Sequence, residues 1–141
     1  MKILLDTNIV LDIVCRRGPW LADAEPIWQA ALDGRIEACI TATCLTDVYY
    51  VGRKQIGNEA VRTGIRSCLA DLTVLPVDKE VLSRALSLSD IDFEDAVQIV
   101  CAQNAGVALI VTRDATGFPS SASLGVLPPA ELSKRLGTGT K

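Results

Sequence analysis

Three short runs, Ile3-Leu4-Leu5, Ala38-Cys39-Ile40-Thr41 and Ala108-Leu109-Ile110-Val111-Thr112, are apolar almost throughout and too brief to be helices. They lack the polar alternation of a half-exposed strand, so they fit strands buried on both faces, as in parallel sheets covered by helices. Thr73-Val74-Leu75-Pro76-Val77 reads as a further strand closing at Pro76, and Gly125-Val126-Leu127 as a short edge strand. Helix-periodic segments lie between them. Ile9, Val10, Ile13 and Val14 follow the first strand up to Gly18-Pro19, and Leu21 to Leu32 makes a second helix stopped near Gly34. Thr43 is expected to cap a helix running through Asp47 to about Val51, which Gly52 ends or loosens. A long helix from Asn58 carries Val61, Ile65, Cys68, Leu69 and Leu72 on one side, with Arg62 and Arg66 beside them. Asp78 to Leu88, Phe93 to Ala105 before Gly106, and Pro129 to Leu136 complete the helices.

Strands alternating with helices imply right-handed crossovers and an α/β fold, a three-layer α/β/α sandwich around a short parallel sheet of four to five strands. At 141 residues the chain makes one domain, expected over residues 1–136, while 137–141 are too poor in apolar atoms to dock and read as a flexible tail. Ligands in such sheets gather at the carboxyl ends of the strands, so the residues just after each apolar run carry the functional question.

The chain has no histidine, which removes the Ser/His/Asp triad, the Cys/His dyad and every His-ligated metal site. Its five cysteines show no CxxC spacing and lie in apolar surroundings, so they read as small hydrophobes in a reducing compartment. The first carboxylate arrives at Asp6, too early for a signal peptide, and no stretch suits a membrane span; a cytoplasmic location is expected. Fourteen basic residues against seventeen acidic ones give a net charge of −3, so any attraction to a phosphate backbone must be local. Arg53, Lys54, Arg62 and Arg66 form one basic stretch, readable as a phosphate-contacting surface, as a match for an acidic partner, or as a solvated face. Arg16 and Arg17 invite the same choice, with solvation the default.

Asp6 follows the first strand and Asp114 the fourth, while Asp47 and Asp95 lie in the opening turns of helices beside the same rim. Two carboxylates roughly 4 Å apart repel by about 1 kcal/mol in water and about 4 at an effective dielectric of 20, so such a cluster calls for a cation. Oxygen ligands without histidine suit a hard divalent ion, Mg²⁺ or Mn²⁺. Each acid has a plainer reading too. Asp92 and the acids after it can cap a helix and meet its dipole, Asp47 can be a solvated early-helix residue, and Asp114 a turn residue. Asp6 is harder to dismiss, because a carboxylate closing a doubly buried strand needs a partner or water. Asp12 reads as an exposed helix residue.

Leu4-Leu5-Asp6-Thr7-Asn8-Ile9-Val10-Leu11-Asp12, Ile40-Thr41 through Thr46-Asp47-Val48-Tyr49-Tyr50-Val51, Asp92-Phe93-Glu94-Asp95-Ala96 and Ile110-Val111-Thr112-Arg113-Asp114 occur in this order across essentially the whole chain. Together they resemble the PIN domain, and within it the toxin-like ribonucleases of VapC type. The resemblance implies metal-dependent RNA cleavage with Asp6, Asp47, Asp95 and Asp114 in the places of the family's acids. Asp6 and Asp95 would be the principal Mg²⁺ or Mn²⁺ ligands, and Asp114 a ligand directly or through water. Thr112, Asp92 and Asn8 would support them from behind. It also implies a small antitoxin protein as partner and a homodimer. Two departures stand out: Asp47 sits where the family usually has glutamate, and Gly117, before Phe118, where many relatives carry a further acid. They keep open a second reading, a PIN-like binding module with weak or no catalysis that acts through a protein partner. An Asp-rich phosphotransfer protein ranks last, since Asp6-Thr7-Asn8 lacks a second aspartate in DxD spacing.

Overall fold

The computed structural model describes residues 1–119 and 124–138. Five strands, β1 (Lys2–Leu5), β2 (Glu37–Thr41), β3 (Thr73–Leu75), β4 (Leu109–Val111) and β5 (Gly125–Leu127), form one sheet in the order β3-β2-β1-β4-β5. Every neighbouring pair is parallel, with Leu4 opposite both Cys39 and Ile110. β5 occupies an edge, as its brevity suggested. The helices are α1 (Thr7–Val14), α2 (Leu21–Leu32), α3 (Ala42–Ile56), α4 (Asn58–Asp71), α5 (Lys79–Leu86), α6 (Phe93–Ala105) and α7 (Pro129–Thr138).

The pleat divides the core. Ile3 and Leu5 of β1 face a cluster with Ile9, Val10, Ile27, Val48, Val61 and Leu132, contributed by α1 to α4 and α7. Leu4, one residue out of phase, joins Cys39 and Ile110 in a second cluster with Val81, Ala85, Val97 and Val100 of α5 and α6. Strands of only three to five residues, apolar toward both layers, are what the short runs demand. Among the described residues no helix is long and apolar enough to cross a membrane. The five cysteines are free; burial pushes the Cys39 thiol up to about 11 and those of Cys44 and Cys68 up to about 12, which suits hydrophobes better than nucleophiles.

Several boundaries differ from the sequence expectation. The cap of α3 is Thr41, whose hydroxyl accepts from Cys44 N–H at 3.3 Å, and not Thr43, whose hydroxyl pairs with that of Thr41. α3 also runs five residues past Val51, straight through Gly52, and stops at Gly57, where φ is +89°. Gly52 is a packing device: a Cβ there would lie 2.6 Å from Val61 Cγ2, so its absence lets α4 close on α3. Gly64 does the same for α4 against Val14 of α1. Leu69, expected on the buried side of α4, is exposed. α7 continues to Thr138, beyond Leu136, while the tail expectation for 139–141 lies outside the described residues.

The close approach at Gly52 yields a test. Alanine is the better helix former, yet Gly52→Ala is expected to destabilise the fold by about 1–2 kcal/mol because stiff Val61 cannot yield, measurable by urea denaturation.

Candidate active site

The strand order reverses between β1 and β4, and the crevice beyond their carboxyl ends is where this topology places a site. The β1–β4 register carries through it: Leu5 pairs with Val111, and Asp6 N–H donates to Val111 O at 3.0 Å. Asp6 is therefore beside Thr112, and Thr112 Oγ1 donates to Asp6 Oδ2 at 2.7 Å. The other carboxylate oxygen, Oδ1, accepts from Thr7 N–H at 2.8 Å, capping α1, and from Gln98 Nε2 at 2.9 Å. Thr112 Oγ1 in turn accepts from Asp114 N–H at 3.1 Å, which fixes the start of the loop carrying Asp114.

A cleft of about 440 Å³ opens here, lined by Asp6, Asp47, Asp95 and Asp114 together with Thr7, Asn8, Leu11, Tyr50, Val51, Glu94 and Phe118. The four expected acids thus share one cleft, and among the described residues its lining holds no lysine or arginine. Asp6 and Asp114 arrive from strand ends, Asp47 from the second turn of α3, and Asp95 from the first turn of α6. Asn8 lines the same cleft. Asp92 is the cap of α6: its Oδ1 accepts from the N–H groups of Glu94 and Asp95 at 3.0 and 3.2 Å.

The electrostatic consequence falls on α6. Burial, reinforced by the negative charges of Asp6, Asp92 and Asp114, pushes the Asp95 carboxyl up to about 6. The Glu94 carboxyl is also raised, by burial first and then by Asp47, Asp6, Asp92 and Asp95. Glu94 was not among the expected site residues; inside Asp92-Phe93-Glu94-Asp95 it looks like one more helix-opening acid. Gln98 was missed as well, although one polar residue inside the otherwise apolar stretch Ala96 to Ala102 was a usable signal. Among the described residues no three acidic or cysteine side chains close into a tight cage by themselves. Gly117 lies against this cluster: a Cβ there would come within 2.9 Å of Asp95 Oδ2 and 4.0 Å of Asp114 Oδ2. A side chain at 117 would enter the acidic cleft, and this chain leaves that space to the carboxylates.

Asp12 overturns its expectation. It is fully buried, with Arg17 Nε and Nη2 both 2.9 Å from its Oδ1. Arg113 forks onto it, Nε to Oδ2 at 2.9 Å and Nη2 to Oδ1 at 3.3 Å. Arg113 also stacks over Trp20, its guanidinium carbon 4.0 Å from the ring centroid, and Arg17 Nη2 reaches Asn8 O at 3.3 Å. Arg17 is therefore a structural cation, and Arg16 an exposed partner of Glu25 at 3.7 Å. Both guanidiniums are needed because one buried carboxylate without full pairing is strongly unfavourable.

The basic stretch divides. Arg62 and Arg66 line a neighbouring groove of about 470 Å³ with Leu45, Tyr49, Ile65 and Leu69. Arg53 stacks over the rings of Tyr49 and Tyr50 at 5.7 and 5.2 Å, and Arg62 over Tyr49 at 5.6 Å. Lys54 is exposed on α3 and lines neither the groove nor the acidic cleft. Tyr50 borders both.

A family model described as the PIN domain matches residues 2–116. The chain is 25% identical over 142 residues to ribonuclease VapC1 of Aquifex aeolicus, covering 97% of this chain and 96% of that one. Its fold is similar to that in a toxin-antitoxin complex from Klebsiella pneumoniae, with TM-score 0.66, 22% identity and coverage of 90% of this chain and 97% of that one. It is likewise similar to VapC20 of Mycobacterium tuberculosis, a toxin that cleaves the sarcin-ricin loop, with TM-score 0.68, 13% identity and coverage of 80% and 90%.

Two outcomes are expected from this geometry. Asp12→Ala should cost about 3 kcal/mol by chemical denaturation, the low end for breaking a buried ion pair, since both arginines reach water. Folded Asp95 keeps its proton up to about 6 whereas an unfolded aspartate releases it near 3.9, so the folded state binds more protons in between. This contribution is present below the unfolded value and lost as pH rises through about 6. In chelator, wild-type Tm should therefore fall relative to Asp95→Asn between pH 4.5 and 7.

Proposed function

The chain belongs to the PIN domain family, and from that footing we propose that it is an Mg²⁺- or Mn²⁺-dependent endoribonuclease, the toxin of a toxin-antitoxin pair. The observation that carries this reading is the gathering of Asp6, Asp47, Asp95 and Asp114 in one cleft whose lining, among the described residues, holds no basic side chain. The donor set fits a hard divalent ion: carboxylate oxygens only, no histidine, and an Asp95 carboxyl raised by burial and then by its acidic neighbours. Asp6, Asp95 and Asp114 would hold it, with Asp47 and Glu94 lining the same cleft. When bound, such an ion supplies an activated water and neutralises charge on a phosphodiester.

The chain's own residues do the rest. Thr112 and the Thr7 N–H hold the Asp6 carboxylate, while the Thr112 hydroxyl also ties down the Asp114 backbone. Asp92 starts α6 so that Glu94 and Asp95 project toward the cleft. Arg62 and Arg66 of α4, next to the cleft across Tyr50, would contact RNA phosphates, with Arg53 and Lys54 of α3 as further basic contacts. The exposed rings and aliphatic groups of the same groove, with Tyr50 and Leu69 uncovered, support contact with a protein partner. A small antitoxin is the partner proposed, and a homodimer the assembly.

Cleavage of a labelled RNA should require added Mg²⁺ or Mn²⁺, vanish in EDTA, and fall at least 100-fold in Asp6→Asn. Cleavage unaffected by EDTA would refute the mechanism. A folded wild-type protein that cuts no RNA with either ion would instead favour the catalytically inactive binding module, to which Asp47 and Gly117 give room.

A further inference from the structure

Among the described residues one buried polar side-chain atom has no hydrogen-bond partner, and it is Oε1 of Gln98. Gln98 is 3% exposed and lies one turn after Asp95 in a stretch, Ala96 to Ala102, whose other residues are all apolar and buried. Packing alone would favour an apolar side chain of similar length here. The amide faces a carboxylate, which accepts and does not donate, so Nε2 must point at Asp6 Oδ1 and the carbonyl is stranded on the other side. A stranded acceptor is an uncompensated desolvation, so the contribution of this glutamine lies in what its nitrogen holds.

That nitrogen completes a count on Asp6. An ionised carboxylate has about four acceptor sites. Thr7 N–H and Gln98 Nε2 occupy both on Oδ1, and Thr112 Oγ1 occupies one on Oδ2. Among the described residues one direction on Oδ2 remains free of protein donors. We propose that Gln98 is a positioning residue: by saturating Oδ1 it sets the carboxylate rotamer, so that Asp6 offers a divalent cation a single oxygen, Oδ2. The inference rests on the metal-dependent reading above. It differs from the role of Thr112, which also anchors the Asp114 backbone, because Gln98 contacts the cleft's chemistry through Asp6 alone among its hydrogen bonds.

The test is Mn²⁺ titration by calorimetry, with thermal denaturation in chelator, on wild type, Gln98→Met and Gln98→Leu. Relief of the stranded carbonyl offsets the lost donor, so metal-free Tm should stay within about 4 °C of wild type. Mn²⁺ affinity should fall about 10- to 100-fold, as when a partner behind a metal ligand is removed. RNA cleavage should drop at limiting Mn²⁺ and recover at saturation, a split that a merely structural residue would not produce. Unchanged Mn²⁺ affinity in both folded variants overturns the proposal, as does a large fall in Tm that accounts for the lost affinity. If wild type itself binds no Mn²⁺, the metal-dependent reading fails first and this inference with it.

Discussion

A carboxylate at the end of the central strand is the constraint around which the rest of this molecule is arranged. Asp6 closes β1, is almost wholly buried, and a carboxylate in that position needs donors brought to it. Three arrive from separate parts of the chain: the first amide of α1, a hydroxyl just past β4, and an amide from α6. The hydroxyl depends on the β1–β4 register, since slipping the pair by one residue would carry Thr112 away from Asp6 and exchange the two core faces. The buried charge and the sheet alignment therefore specify one another.

The molecule treats its two sets of acids in opposite ways. Asp12 is neutralised on the spot by two arginines, one of them stacked on Trp20, and becomes a rivet between the end of α1 and the loop after β4. Among the described residues the cleft acids receive no such cation, and burial, reinforced by their mutual repulsion, raises the Asp95 and Glu94 carboxyls. Arg113 and Asp114 are adjacent, so the same loop carries a sealed ion pair and an open carboxylate. Anchoring the first holds the second in place at the cost of little freedom.

Close helix packing serves the same end. The missing Cβ of Gly52 and of Gly64 lets α4 approach α3 and α1, and α3 is the element that brings Asp47 and Tyr50 to the cleft. With few aromatic residues available, Tyr49 and Tyr50 are concentrated on that helix, where Arg53 and Arg62 lie over their rings. An apolar, basic-edged groove and an acidic cleft thus share a border at one tyrosine.

Short doubly apolar runs and helical spacing were sufficient to read the α/β class, the strands and most helix limits, because burial on both faces and a 3.6-residue period are local properties of the chain. The placement of Asp6, Asp47, Asp95 and Asp114 at one rim was also legible, since each follows a strand or opens a helix and a parallel sheet gathers those positions. Gly52 read as a stop because a helix-breaking propensity is visible in sequence while Val61, nine residues away, is not. Asp12 read as exposed for the same reason: its arginines lie five and 101 positions along the chain, and only folding makes them neighbours. Glu94 acquires meaning solely from what faces it, and Gln98, odd among apolar neighbours in sequence, acquires its role from Asp6. Periodicity decided the scaffold; partners distant in sequence decided which charges are sealed and which remain available.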